Sequence, residues 1–153
     1  MSYAAQYGWT LIDDANRKDH FMEMIVKMTM DHSYKPVLIK AILKHADPSG
    51  RANISDLVDY FRSFYESRRA AGLVVEKPDS LYSKPGYTDK QVERNILANP
   101  FKRFEDMNIL RHTKTLGIVE VDSIVWKKLT DDEKNMICDI CDDRLMKYFN
   151  KIS

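Results

Sequence analysis

Three features predict a mainly α fold with a small β-hairpin. Apolar positions recur at helical spacing over most of the chain, capping boxes mark two helix starts, and only the stretch around residues 109–121 reads as paired strands. Between Pro36 and Asp122 the expected order is helix, short strand, helix, helix, hairpin. That order is the one a winged helix-turn-helix requires, so an α+β fold is expected, with such a core and extra N- and C-terminal helices. The 153 residues are long enough to bury a core without metal or disulfide staples, and a single domain is expected. It divides into an arm and helix (1–32), a core (33–125) and a C-terminal helix (130–152).

Residues 1–12 carry Tyr3, Tyr7 and Trp9 without a sustained period and read as a loosely packed arm. Asp13 or Asp14 is placed to cap a helix from about Ala15 to Met30. Phe21, Met22, Met24, Ile25, Met28 and Met30 form its apolar side. Methionines at this density suit a gap-filling core helix, or an adaptable partner surface. His20 and His32 flank this helix and read as surface or capping histidines.

Tyr34-Lys35-Pro36 opens the next helix, with Pro36 suited to its first position, and Asp47-Pro48-Ser49-Gly50 closes it. Val37 to Ala46 is apolar on nearly every side except Lys40 and Lys44, which predicts a central helix. Arg51–Ile54 is strand-like. Asn53 or Ser55 then caps an amphipathic helix with Leu57, Val58, Phe61, Phe64 and Tyr65 on one stripe, ending near Ala71-Gly72. Residues 73–88 form a long loop with two Lys-Pro dipeptides. A loop of this length is often functional.

Thr88-Asp89-Lys90-Gln91 is a capping box. The helix it starts buries Val92, Ile96 and Leu97, is interrupted at Asn99-Pro100, and resumes through Phe101, Phe104 and Met107. Ile109–Arg111 and Gly117–Val121 are the expected strands, with Thr113, Lys114 and Thr115 at a polar tip. A second box, Thr130-Asp131-Asp132-Glu133, starts the last helix.

Formal net charge is +1, so global charge specifies no partner. Its distribution is uneven, with 11 Lys/Arg against 7 Asp/Glu from Arg62 to Lys114 and 6 against 8 from Glu120 to Ser153. No apolar run approaches the ~20 residues that cross a bilayer, and no leader is recognisable, so a soluble cytoplasmic chain without a membrane partner is expected.

The candidate contact face follows from these elements. Lys90, Gln91, Arg94 and Asn95 are expected away from the apolar side of the third core helix, with Lys102 and Arg103 beyond the interruption. Arg111, His112 and Lys114 would lie on the wing, and Lys84 in the long loop. Gln, Asn and Arg read base edges, while Lys and Arg neutralise phosphates. The plainer reading is a solvated helix face. Tyr82 and Tyr87 are equally open to stacking on bases or packing beneath the loop. Arg68-Arg69 ends a helix, where the macrodipole favours cations without any ligand.

Cys138-Asp139-Ile140-Cys141 has CxxC spacing without a second cysteine pair, so buried thiols are expected and no metal. Phosphate-loop, dinucleotide, HExxH and GxSxG motifs are absent. Glu120, Asp122 and Lys127 come nearest to a nuclease cluster but read as hairpin charges. No catalytic residues and no cofactor are expected.

The run Ser33-Tyr34-Lys35-Pro36-Val37-Leu38-Ile39-Lys40-Ala41-Ile42-Leu43, then Gly50-Arg51, the helix to Tyr65, and Asn95 through Pro100-Phe101 to Glu105 together resemble an accessory domain of bacterial restriction and helicase proteins. That domain accompanies DEAD/DEAH-type helicase or HNH nuclease modules. The resemblance spans roughly Ser33 to Phe149 and implies a DNA-associated role in defence against foreign DNA. More distantly, the Lys-Pro helix is similar to the opening of sulfur-binding domains that read modified DNA backbones. The expectation is non-catalytic binding of double-stranded DNA. The alternative is a protein-interaction module acting as an inhibitor, for example phage-encoded, of a bacterial defence or CRISPR nuclease, or a homodimer, with a nuclease or helicase as the protein partner.

Overall fold

A computed structural model describes residues 16–153, so the arm and the expected Asp13/Asp14 cap lie outside the described residues. Ten helices and strands follow. They are α1 (Arg17–Val26), α2 (Tyr34–His45), β1 (Arg51–Asn53), α3 (Ile54–Ala70), α4 (Asp89–Ala98), α5 (Pro100–Asp106), β2 (Leu110–Thr113), β3 (Ile118–Val121), α6 (Ser123–Lys128) and α7 (Asp131–Ile152). The fold is mainly helical with one small antiparallel sheet, as the sequence predicts. The sheet has three strands rather than a bare hairpin, in the order β1-β3-β2.

Helix α2 is the centre. Val37, Leu38, Ala41 and Ile42 are buried on it, and it packs against both α3 and α7. Pro36 is its third residue, not its first. The first four N–H groups of a helix have no internal partner, so a residue without one is tolerated there. The expected side-chain cap from Asn53 or Ser55 is absent on α3. Instead the Ile54 N–H donates to the Gly117 carbonyl at 2.9 Å, tying the helix start to the hairpin.

Both predicted capping boxes form, at Thr88/Gln91 and Thr130/Glu133. Asn99-Pro100 divides α4 from α5, and Phe101 and Phe104 continue the buried side. Leu97 and Met107 are only partly buried. Helix α6 was not expected. Asp122 caps it by accepting from the Val125 N–H at 3.1 Å, and its Trp126 donates through Nε1 to the Pro48 carbonyl. Helix α1 is shorter than expected, ending at Val26, yet Phe21, Ile25 and Met28 pack into the core. Among the described residues no helix is long and apolar enough to cross a membrane.

Candidate nucleic-acid interface

Residues 73–87 connect α3 to α4 and set where α4 lies. Their anchor is Glu76, buried at 6% exposure. One carboxylate oxygen accepts from the Ser33 N–H at 2.8 Å and from the Ser33 hydroxyl, the other from the Lys77 N–H at 2.7 Å and from the Tyr148 hydroxyl. Because Ser33 Oγ donates to Glu76, it accepts from Tyr65 at 2.6 Å. Burial raises the pKa of the Tyr65, Tyr82 and Tyr148 phenols, so they remain donors.

The loop tyrosines are part of this core. Tyr82 stacks on Tyr65 with centroids 4.1 Å apart, and its hydroxyl donates to Asn95 Oδ1 at 2.9 Å. Tyr87 is buried beneath Arg62, whose guanidinium lies 4.9 Å from the ring centroid. Both rings are therefore held against the protein and offer no free face to a base. The basic pair Arg68-Arg69 also holds the loop. Arg68 Nε donates to the Val74 carbonyl at 2.7 Å with its guanidinium over Phe149, and Arg69 donates to the Tyr82 and Ser83 carbonyls. The sequence suggested only a macrodipole role for this pair.

The predicted contact residues separate into two groups. Lys90, Arg94, Lys84, Arg103 and Lys114 are exposed and make no ion pair among the described residues. The others are engaged. The Gln91 side chain accepts from the Thr88 N–H at 2.8 Å, and Asn95, expected to point outward, is partly buried on Tyr82. Lys102 is exposed but bridges Asp106 at 3.0 Å and Glu105 at 3.6 Å on its own helix. His112 is half-buried with its ring against Phe101.

Arg111 shares Glu120 with Arg51, at 3.2 and 3.3 Å, because the register sets Arg51, Glu120 and Arg111 in one row across the three strands. Residues 89–106 balance four cations with four anions, so the α4–α5 surface is mixed rather than strongly basic. Beyond it, the turn Lys114–Leu116 projects between β2 and β3, with Leu116 69% exposed.

The chain matches no family model, and neither curated proteins nor solved structures give a significant match. Glu120 is held between two arginines, and Asp122 caps α6 and pairs with Arg17 at 2.8 Å. Among the described residues no three His, Cys, Asp or Glu side chains converge to hold a metal ion. Cys138 and Cys141 lie one turn apart on α7, and burial pushes the Cys141 thiol up to about 12. Lys90 and Arg94 on α4 and Lys114 at the hairpin turn are exposed and make no ion pair among the described residues.

Proposed function

We propose that this protein binds double-stranded nucleic acid without chemistry, through a winged-helix arrangement built from α2, α3, α4 and the β1-β3-β2 sheet. The reading rests on two features, an exposed Lys90/Arg94 edge on α4 that makes no ion pair among the described residues, and a strand turn that bears the exposed Lys114 and Leu116. Lysine and arginine on such a pair of elements neutralise phosphates, and an exposed apolar residue at a tip is suited to wedging against a minor groove. The likeness to restriction and helicase accessory domains supports a setting in defence against foreign DNA. It rests on residues such as Val37, Leu38, Phe61, Ile96 and Phe104, which this fold uses for packing.

Fluorescence anisotropy with a random-sequence duplex at low salt tests the proposal. Binding that weakens steeply with added salt, and that is lost with Arg94→Glu plus Lys90→Glu, is the expected result. Absence of binding, or affinity unchanged in that variant, removes the idea.

The balanced charge of residues 89–106 favours a second reading, a protein-interaction module acting on a nuclease or helicase, or a homodimer. The mass by light scattering, together with a pull-down using candidate nucleases, separates the two. A monomer that captures no nuclease but binds duplex tightly excludes the second.

A further inference from the structure

A separate concave site lies between α1, the first turn of α2 and α5. Its volume is about 250 Å³, and its polar wall carries His20, Lys27, Lys35 and Arg103 with a single carboxylate, Glu23. Glu23 is engaged, because Lys27 bridges it at 2.9 Å across one helical turn. Lys35 is only partly exposed and gives one of its three ammonium hydrogens to the Thr29 carbonyl at 2.8 Å. Arg103 makes no hydrogen bond or ion pair with a described residue, yet it lies close enough to repel Lys35. Burial first, and that repulsion second, hold the Lys35 ammonium below its ordinary pKa, against a weaker attraction from Asp31.

Two like charges held at one wall, with no described carboxylate bridging either, are electrostatically unfavourable until an anion joins them. A guanidinium fork beside a free pair of ammonium hydrogens matches the oxygens of a tetrahedral oxyanion. The remaining wall carries Met24, Met28 and Met107, whose polarisable thioethers adapt to an apolar or aromatic body. We propose that this pocket binds the phosphate of a nucleotide, with the methionines against its sugar or base. That phosphate is a diester of a nucleic-acid strand or the terminal group of a free mononucleotide. In the first case the inference rests on the nucleic-acid reading above.

The test is a ¹H–¹⁵N titration of the full chain with adenosine monophosphate and inorganic phosphate, beside anisotropy with the duplex. The amides of Thr29, Lys35 and Arg103 are expected to shift with the nucleotide. Lys35→Gln with Arg103→Gln should weaken that binding by about tenfold or more. Lys102→Gln, on the same helix but ion-paired, should leave nucleotide binding unchanged. Arg103→Gln alone serves if the double variant is unfolded by circular dichroism.

If the nucleotide shifts these amides while duplex is not bound, the pocket stands and the nucleic-acid reading fails. If duplex affinity alone falls in the variant, the ligand is a strand phosphate. Nucleotide and duplex bound as well by the variant as by the natural chain, or no shift at the pocket and no loss of duplex affinity, overturns the assignment.

Discussion

Glu76 ties together two segments far from it in the chain, since Ser33 and Tyr148 both donate to it, alongside its own neighbour Lys77. Replacing it with alanine orphans buried donors on each, and should cost roughly 3 kcal/mol, read as a lower urea midpoint with an unchanged denaturant slope. A loss under about 1 kcal/mol would show that water or rearrangement satisfies those donors instead. Alkaline pH acts on the same region. Burial raises Cys141 to about 12, burial and the Glu66 carboxylate raise Tyr87 to about 12, and Tyr65, Tyr82 and Tyr148 move in the same direction. In the unfolded chain the thiol and phenols release protons from about pH 8.5 and about pH 10, so above those values the unfolded state holds fewer protons than the native one. Stability is therefore full below roughly pH 8.5 and falls as pH rises toward about 12. Urea midpoints compared at roughly pH 8 and roughly pH 11 check this, and equal midpoints would refute it.

At the scale of elements, the joints differ in what they tolerate. Gly50 closes the turn before β1 at φ +87°, where an added Cβ would lie 2.9 Å from Trp126 Cγ. Gly72 ends α3 at φ +73° with nothing near its missing Cβ. Both positions disfavour alanine by backbone conformation, but only Gly50 also forces the Trp126 ring and its bond to Pro48 to move. Gly50→Ala should cost roughly 2–3 kcal/mol and Gly72→Ala about 1 kcal/mol, measured by denaturation. Thr88→Ala removes one half of a capping box and should cost about 1 kcal/mol. Equal effects at the two glycines would mean that α6 does not pack on that turn as described.

For the whole molecule, the proposed contact surface draws on two stretches far apart in the chain, α4 and the β2–β3 turn. Neutralising Lys90 and Arg94 to glutamine should lower duplex affinity and reduce the slope of log K against log salt by about 2, one phosphate contact each. Lys102→Gln should change that slope less, because Asp106 and Glu105 already neutralise its charge. Slopes equal for the two variants would place the charge contribution elsewhere on the molecule.

Local pattern alone determined most of the elements. The α2, α3 and α7 stripes, both capping boxes, the Pro100 interruption and the strand at Arg51 are short-range signals, set by side-chain spacing and by the bonds a few neighbours can make. Helix α6 escaped that reading because its six residues are too short for a period, and its cap and Trp126 contact only become visible against Asp122 and Pro48. The candidate site was legible as residue types and only in part as availability. Local spacing distinguishes Lys102, with Glu105 and Asp106 three and four residues on, from Arg94, and Gln91 in its capping box from Asn95. Only the tertiary structure decided that Asn95 and Arg111 are engaged, through Tyr82 and through Glu120. The reason is physical: a hydrogen bond or ion pair depends on distances across the fold, and no spacing along one strand or helix encodes where a distant partner will come to rest.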